Sequence, residues 1–394
     1  MSKLFQRPLS IIERIWLGVD SFYAPYAVQI VLEGKGHVDE GQLRSAVAEA
    51  SEVNPGSRLV LKGALHRLHW RDSGINPPVR RVAGNHWDGY TPAHASFFWD
   101  PLPHTGPTCE VLIVDGPMPR IVFRALHAVM DGRGAYLWME DVFRCLRGEK
   151  PLGASSTLAE WQVARRITNR KRELPPVESI PVTGKSRPSR PGTTWRRLTF
   201  YGEYPKVLGR VIWAVAQSAW RYGDGVVRLM IPVDLRSRIP EERSTGNLTI
   251  TLYVDVKRDS TPGTIMQDLR SQIDQKVDCM LFDGGKALNL LPIRLLGTGI
   301  KMIAHRHRLN GLYSASGLIT NLGFIDTRSL SEAGFTTTTT FVMPPRWDNL
   351  STFILMTGSE GRVEIMVCVP NSLATDNRFE RLLQDIGQAM SMPV

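Results

Sequence analysis

The sequence contains one arrangement of residues that points to a chemical reaction. His127 stands four residues before Asp131 and five before Gly132, in the run His-Ala-Val-Met-Asp-Gly. An imidazole has an ordinary pKa of about 6.5, so it suits the role of general base for a hydroxyl or an amine at neutral pH. Asp131 is placed to brace the turn, and Gly132 would let a substrate or another segment approach the backbone closely. An ordinary structural histidine would fit the same pattern, which alone does not decide between the two.

The segments on either side of this motif indicate how it would be presented. Arg120–Ala125 (RIVFRA) and Cys109–Val114 (CEVLIV) are apolar runs joined by an Asp-Gly-Pro turn, which predicts a pair of strands. Gly134–Leu146 has apolar residues at helical spacing and predicts an amphipathic helix. The motif would therefore lie at the tip of a strand, just before a helix.

Both halves of the chain mix strands and helices, without the strict alternation of a parallel βαβ fold. The other predicted strands are Ala27–Leu32, Arg58–Leu61, Leu65–Trp70, Val226–Ile231, Leu248–Val256, one ending at Leu318–Asn321, Thr336–Met343 and Glu364–Val369. The other predicted helices are Asp39–Val53, one within Tyr204–Arg221, Thr264–Val277 and Phe379–Met390. We expect the strand at Val226–Ile231 to stop at Pro232, because proline has no N–H to donate. The expected fold class is α/β of the α+β kind.

A basic, proline-rich segment separates the two halves. Residues 165–197 carry ten Lys or Arg and two Glu, which accounts for eight of the ten net positive charges of the chain. The same stretch contains five prolines, which exclude a regular helix or a central strand there. We expect an N-terminal lobe over residues 1–160, a linker over 161–197 and a C-terminal lobe over 198–394. The linker is either simply solvated or a docking strip for an acidic partner or a phosphorylated ligand.

The composition narrows the class of protein. The chain has 394 residues, 42% hydrophobic and 22% charged, which is typical of globular proteins. Its four cysteines lie far apart without a CxxC pair, which argues against a disulfide framework or a cysteine-rich metal site. No apolar run reaches the roughly 18 residues of a membrane span, and the first residues do not read as a signal peptide. We therefore expect a cytoplasmic protein with no bound metal, no membrane and no nucleic-acid partner, since the excess charge is confined to the linker.

Further segments occur in a recognisable order. Leu9–Trp16 precedes a predicted strand, Ile231–Arg236 reads IPVDLR, Gly246-Asn247 follows, and Thr320–Gly323 reads TNLG. Together with HxxxDG at the end of a strand, they resemble the chloramphenicol acetyltransferase-like superfamily. Its members include condensation domains of nonribosomal peptide synthetases, alcohol acyltransferases, polyketide-associated acyltransferases and wax-ester synthases. The resemblance covers most of the chain.

This resemblance implies two lobes, each a mixed sheet flanked by helices, with an active-site tunnel between them. It implies an acyltransferase with no permanently bound cofactor, in which an acyl group arrives as a thioester on coenzyme A or on the phosphopantetheine arm of a carrier protein. The acceptor would be a hydroxyl or an amine of a small molecule, and His127 would be the general base. The implied setting is a free-standing, monomeric enzyme of specialised metabolism, with an acidic acyl- or peptidyl-carrier protein as a possible partner.

The resemblance also assigns roles to other residues. Asp131 and Gly132 would be structural at the site, and Asp131 would form a salt bridge with Arg236 without touching substrate. Asn321 and Gly323 would lie beside the tunnel on the second lobe, where an amide could orient substrate or polarise its carbonyl.

One position departs from the pattern of the family. Condensation domains usually read HHxxxDG, and Leu126 stands where the first histidine would be. This weakens assignment to the peptide-forming branch and leaves acyl transfer in general. Two alternatives stay open: a catalytically silent scaffold that binds a carrier protein or an intermediate, and an unusual reaction at the same histidine, such as cyclisation, dehydration or C–C bond formation.

Overall fold

The computed structural model describes residues 5–281, 288, 290–332, 334–347 and 349–392. Its strands are β1 Gln6–Pro8, β2 Ala27–Gly36, β3 Leu59–Lys62, β4 His69–Asp72, β5 Val79–Ala83, β6 Cys109–Asp115, β7 Arg120–Leu126, β8 Thr193–Tyr201, β9 Val227–Asp234, β10 Thr249–Val256, β11 Gly317–Phe324, β12 Phe335–Val342, β13 Phe353–Ser359 and β14 Arg362–Pro370. Its α-helices are α1 Ile11–Tyr23, α2 Glu40–Val53, α3 Gly132–Leu146, α4 Glu160–Ile167, α5 Val207–Trp220, α6 Pro262–Asp274, α7 Ile293–Asn310, α8 Asn371–Ala374 and α9 Arg378–Ser391. These elements confirm most of the predicted strands and helices, with ends shifted by a few residues.

The histidine motif follows a strand at the centre of a five-stranded sheet. The strand order is β12-β2-β7-β6-β5, in which β5 and β6 run parallel and the other neighbours are antiparallel. Every residue of β7 is buried, and α3 packs on one face, where Trp138 meets Phe123 edge-on. Arg124 in the same strand is buried only because it donates to Gln29, Glu110 and two backbone carbonyls. The strand is therefore a rigid base for whatever lies at its end.

A second, six-stranded mixed sheet has the order β10-β9-β11-β13-β14-β8. In it β11 runs parallel to both β9 and β13, and the remaining pairs are antiparallel. A small antiparallel sheet, β1-β4-β3, completes the strands of the described residues.

The expected end of β9 at Pro232 is wrong. The strand continues to Asp234, and Pro232 is paired with Thr251 of β10. Pairing with β11 on the other side reaches only as far as Met230. Pro232 therefore sits where β9 has become an edge strand, and there a missing N–H donor is tolerated.

The two halves of the chain are joined by a shared sheet and by buried ion pairs. Strand β12, which lies in the predicted C-terminal lobe, pairs with β2 of the N-terminal sheet. Arg197 of β8 also joins the two large sheets, because its buried guanidinium contacts Glu33 of β2 and Glu364 of β14. The lobe boundaries at residues 160 and 197 stay predictions.

The basic segment contains more regular structure than its composition suggests. Helix α4 runs into it as far as Ile167 and β8 begins at Thr193, so the exclusion of regular structure fails at both ends and fits only the proline-containing residues between them. Arg172 is buried and donates to the carbonyl of Thr251. Together with Arg197, this removes two of the ten cations from the surface, and the remaining ones would form any docking strip.

Candidate active site

His127 is held in place through its backbone. Its N–H donates to the carbonyl of Tyr26 at 2.9 Å, and the preceding N–H of Leu126 donates to Thr108 at 2.8 Å. These two bonds tie the end of β7 to the segments that lead into β2 and β6. The side chain of His127 is half-buried, whereas that of Leu126 is fully buried in the core.

Three aromatic side chains cluster beside the imidazole, and two of them contact it. Tyr26 stacks on it with a centroid distance of 5.3 Å and an interplanar angle of 9°, and Trp16 lies at 5.3 Å with an angle of 32°. Trp347 meets both Trp16 and Tyr26 edge-on, at 6.0 and 5.8 Å. Stacked rings of this kind limit the rotation of the imidazole and exclude water from its face. The sequence did not single out Tyr26 or Trp347, which come from segments far from the motif.

The surroundings of His127 favour the neutral ring. Burial lowers the pKa of His127 below its ordinary value, and nearby carbonyl groups, Asp131 and the Asn247 side chain oppose that shift without overcoming it. Its Nδ1 atom is buried and has no hydrogen-bond partner among the described residues. A neutral imidazole can accept a proton on its unprotonated nitrogen.

The carboxylate of Asp131 is bonded to protein groups on both of its oxygens. One carboxylate oxygen accepts from Gly134 N at 2.7 Å, which caps α3 and explains why the helix begins at Gly132, two residues earlier than the expected start. The other oxygen accepts from Leu248 N at 2.8 Å and from the hydroxyl of Thr249 at 3.0 Å. Asp131 therefore links the histidine turn to the segment that leads into β10.

Arg236 lies against Asp131, as the resemblance implies. Its Nη1 and Nη2 donate to the two carboxylate oxygens at 3.1 and 3.0 Å. The remaining donors go to Asp234 and to the carbonyls of Ser244 and Gly246, so each guanidinium N–H has a partner. Burial alone would raise the pKa of Asp131, but the Arg236 charge and these hydrogen bonds hold it below its ordinary value. Asp131 is thus a fixed anion with no acceptor directed at a substrate.

The structure brings the TNLG segment next to Gly132 but does not join Asn321 to His127. A Cβ atom at Gly132 would lie 3.2 Å from a methyl group of Leu322. The Asn321 side chain is exposed, and its oxygen accepts from Gly323 N at 2.9 Å. Gly323 has a φ of +80°, which suits glycine at this irregularity in the pairing of β11. None of the contacts described for Asn321 reaches the imidazole.

Two polar residues near the histidine carry no role in the sequence interpretation. Asn247, recognised only as part of a Gly-Asn pair, is buried beside His127. Its Nδ2 donates to Glu13 at 3.4 Å, and Glu13 is itself almost fully buried. The only sequence signal for Glu13 is its spacing of three residues from Ser10, which is typical of a helix capping box.

Other kinds of site find no support in the described part of the chain. No three His, Cys, Asp or Glu side chains cluster there as a metal ion would require. None of the described helices is both long enough and apolar enough to cross a membrane.

No protein-family model and no curated protein matches the sequence. Solved structures, in contrast, match over nearly the whole chain. A doubly substituted starter condensation domain of rhizomide synthetase RzmA, in complex with C8-CoA, gives a TM-score of 0.68 at 16% identity and is matched over 98% of this chain and 94% of that one. The condensation domain of the monacolin K polyketide synthase MokA gives 0.65 at 10% identity, over 99% and 98%.

The chain has the condensation-domain fold. A further RzmA structure with C8-CoA and Leu-SNAC matches at a TM-score of 0.67 and 15% identity, over 98% of this chain and 94% of that one. The resemblance to the chloramphenicol acetyltransferase-like superfamily is thus confirmed at the level of the fold, and so is the mixed α/β class. The tunnel between the lobes stays a prediction.

Proposed function

We propose that this chain is a free-standing acyltransferase that moves an acyl group from a thioester to a hydroxyl or an amine of a small molecule. The donor is acyl-coenzyme A or an acyl group on the phosphopantetheine arm of a carrier protein, and His127 is the general base. The observation that carries the proposal is the imidazole itself, which is neutral, stacked on Tyr26 with Trp16 beside it, and fixed at the end of a buried strand.

The reaction needs only one proton carrier. The unprotonated nitrogen of His127 takes the proton from the acceptor oxygen or nitrogen as that atom attacks the thioester carbonyl carbon. The C–S bond then breaks, and the proton passes from the imidazolium to the thiolate that leaves. No acyl-enzyme is required, because holding two reactants beside one base removes much of the entropic barrier.

Two further observations support acyl transfer. A doubly substituted protein of the same fold forms a complex with C8-CoA and Leu-SNAC. Leu126 is fully buried, so the residue that replaces the first histidine of HHxxxDG occupies a core position where it would meet no substrate. The replacement therefore does not by itself favour a silent scaffold.

The remaining parts of the proposal concern the setting of the enzyme. We place it in the cytoplasm as a monomer in specialised metabolism, with the lobes at residues 1–160 and 198–394. Gly132, Asn321 and Gly323 would line the approach to His127, while Asp131 and Arg236 hold the turn in place.

The proposal is tested by following thiol release with C8-CoA as donor and Leu-SNAC as acceptor. Acyl-CoAs of other lengths, acyl-carrier proteins and a mixed pool of alcohols and amines follow, and mass spectrometry identifies the product. His127→Ala is compared with His66→Ala, which removes an exposed histidine. We expect acceptor-dependent release in the wild type and in His66→Ala and a loss of about 100-fold or more in a folded His127→Ala.

The other outcomes separate the alternatives. Equal release from the wild type and His127→Ala would reject His127 as the base. No release with any donor, in a protein that binds a carrier protein, would favour the scaffold. A product that is neither an ester nor an amide, formed only when His127 is present, would indicate the unusual reaction.

A further inference from the structure

Helix α7 is attached to the rest of the protein through one of its faces. Its buried residues are Leu296, Gly297 and Ala304, and the backbone of Gly297 lies against that of Gly18 in α1. A Cβ atom at Gly297 would overlap the carbonyl oxygen of Gly18, so the close crossing of the two helices needs glycine at this position. The opposite face of α7 therefore points away from α1.

That opposite face carries exposed apolar side chains in a row. Leu295, Met302 and Leu309 are 58, 68 and 72% exposed. Because they stand seven residues apart, they project from nearly the same side of the helix, about 10.5 Å apart along its axis. We call these three residues the outer stripe, which forms an apolar ridge about 21 Å long. Single exposed apolar residues are ordinary, whereas an aligned row of them indicates a surface that binds a partner.

Cations flank the outer stripe. Arg294 and Lys301 are exposed on one side of it and Arg306 on the other, as the helical repeat places them. Helix α7 contains no Asp or Glu, and the two acids of α1, Glu13 and Asp20, are buried. The exposed surface of this pair of helices is therefore apolar and positively charged.

An apolar ridge between cations fits an anionic lipid surface. The apolar side chains enter the boundary between headgroups and acyl chains, while Lys and Arg at the edges extend to the phosphates. A second copy of the chain fits less well, because two facing copies would bring their cations together. A folded protein partner would need a surface that matches the shape of the ridge, whereas a lipid layer does not.

We propose that α7 is an interfacial helix that holds this protein on an anionic membrane surface through the outer stripe. Leu290 and Leu291, which are exposed just before the helix, extend its apolar surface. The expectation of no membrane partner rests on the lack of an apolar run that could span a bilayer, and a helix that lies flat on the surface needs no such run. The proposal does not depend on acyl transfer, because it concerns where the protein binds.

Flotation with lipid vesicles tests the proposal. The vesicles consist of phosphatidylcholine alone or of an equimolar mixture of phosphatidylcholine and phosphatidylglycerol. The stripe variant combines Leu295→Gln, Met302→Gln and Leu309→Gln, since glutamine is polar and keeps helix propensity. The matched control variant removes three similarly exposed apolar side chains elsewhere, through Leu152→Gln, Ile75→Gln and Tyr201→Gln.

We expect the wild type and the control variant to float with the anionic vesicles at low salt. The bound fraction of the stripe variant should fall by about tenfold or more, because its apolar side chains no longer enter the lipid. Raising the salt concentration or omitting phosphatidylglycerol should weaken binding of the wild type, because the attraction between cations and headgroups is lost. A wild type that does not float, or equal flotation of the stripe and control variants, would overturn the proposal.

A fluorescent label gives a second readout that needs no loss of apolar surface. Met302→Cys carries a polarity-sensitive fluorophore, Tyr201→Cys is its control, and the labelled wild type gives the background of the four native cysteines, three of which are buried. We expect the emission at position 302 alone to shift to shorter wavelength with anionic vesicles. An unshifted emission at position 302 in protein that floats would reject the outer stripe as the contact.

Two other results would assign the outer stripe to a different occupant and so overturn the proposal. One is a dimer of the wild type that the stripe variant loses, measured by analytical ultracentrifugation without vesicles. The other is binding of an acyl-carrier protein that the stripe variant loses, in a protein that does not float. A protein that floats as expected but shows no turnover would reject the proposed function and leave the membrane contact in place.

Discussion

Arg236 and Asp131 lie 105 positions apart in the sequence and are joined by two hydrogen bonds of 3.0 and 3.1 Å. The pair connects the turn that carries His127 to the segment that carries Asn247. Both side chains are at least nine-tenths buried, so the connection is shielded from water and salt.

Removing one partner of this pair should destabilise the folded protein as well as slow any reaction. For Arg236→Leu we expect the free energy of unfolding to fall by about 3–5 kcal/mol, because the Asp131 carboxylate stays buried without its cation. Denaturant unfolding measures the loss. Arg328→Gln, which breaks an exposed pair with Asp326, should leave the midpoint near that of the wild type. Equal midpoints for the two variants would contradict the prediction.

The rate should depend on pH through a histidine that titrates below its usual range. Burial lowers the pKa of His127, so the ring is neutral at pH 7 and can accept a proton. We expect kcat/KM to stay level around neutral pH and to fall only below about pH 6.5, as the imidazole becomes protonated. The same profile for Glu160→Gln shows whether the Glu160 carboxyl contributes to the pH dependence. A limb centred above pH 7 that persists in that variant would assign the titration to another group.

Glu160 should make the protein less stable as the pH rises. Burial, and next the charge of Glu13, raise the pKa of Glu160 to about 7. The folded state thus holds a proton that the unfolded chain has already released at pH 5, and stability falls between about pH 4.5 and 7. We expect Glu160→Gln to raise the free energy of unfolding at pH 8 by up to about 3 kcal/mol and to flatten this decline. Glu203→Gln, at an exposed site, is the control, and the same decline in both variants would refute the assignment.

The exposed cations of the basic segment should matter for a carrier-protein donor more than for coenzyme A. We expect the joint variant Arg166→Glu, Arg170→Glu and Arg190→Glu to raise KM for an acyl-carrier protein by about tenfold at low salt, because it reverses the charge that would attract an acidic partner. Steady-state kinetics with both donors at two salt concentrations measure the effect. An unchanged KM for the carrier protein would leave the segment a solvated connection.

Local patterns in the sequence were sufficient for the elements that present the motif. Strands β6 and β7 follow from apolar runs, and helices α2 and α3 follow from apolar residues at helical spacing. Both patterns involve residues only a few positions apart. The end of β9 was missed because a proline is tolerated only where one neighbouring strand stops, and that depends on β11, some distance away in sequence.

The surroundings of the imidazole could not be predicted in the same way. Trp16 and Tyr26 contact His127, and Trp347 contacts both of them, but no spacing rule connects these residues with the motif. The link from Asn247 to Glu13 spans 234 positions and depends on a buried hydrogen bond. The family resemblance supplied Arg236 as the partner of Asp131, because that pair belongs to recognisable motifs, whereas the other contacts do not.

The pairing of β12 with β2 has a consequence for how the protein folds during synthesis. Thr338 of β12 donates to the carbonyl of Glu33 in β2, a contact between residues 305 positions apart. During synthesis on the ribosome, the edge of β2 that pairs with β12 would therefore stay unpaired until residues 335–342 have emerged. An open edge of this kind readily pairs with other chains, so the nascent protein should aggregate more readily than the finished one and gain from a chaperone.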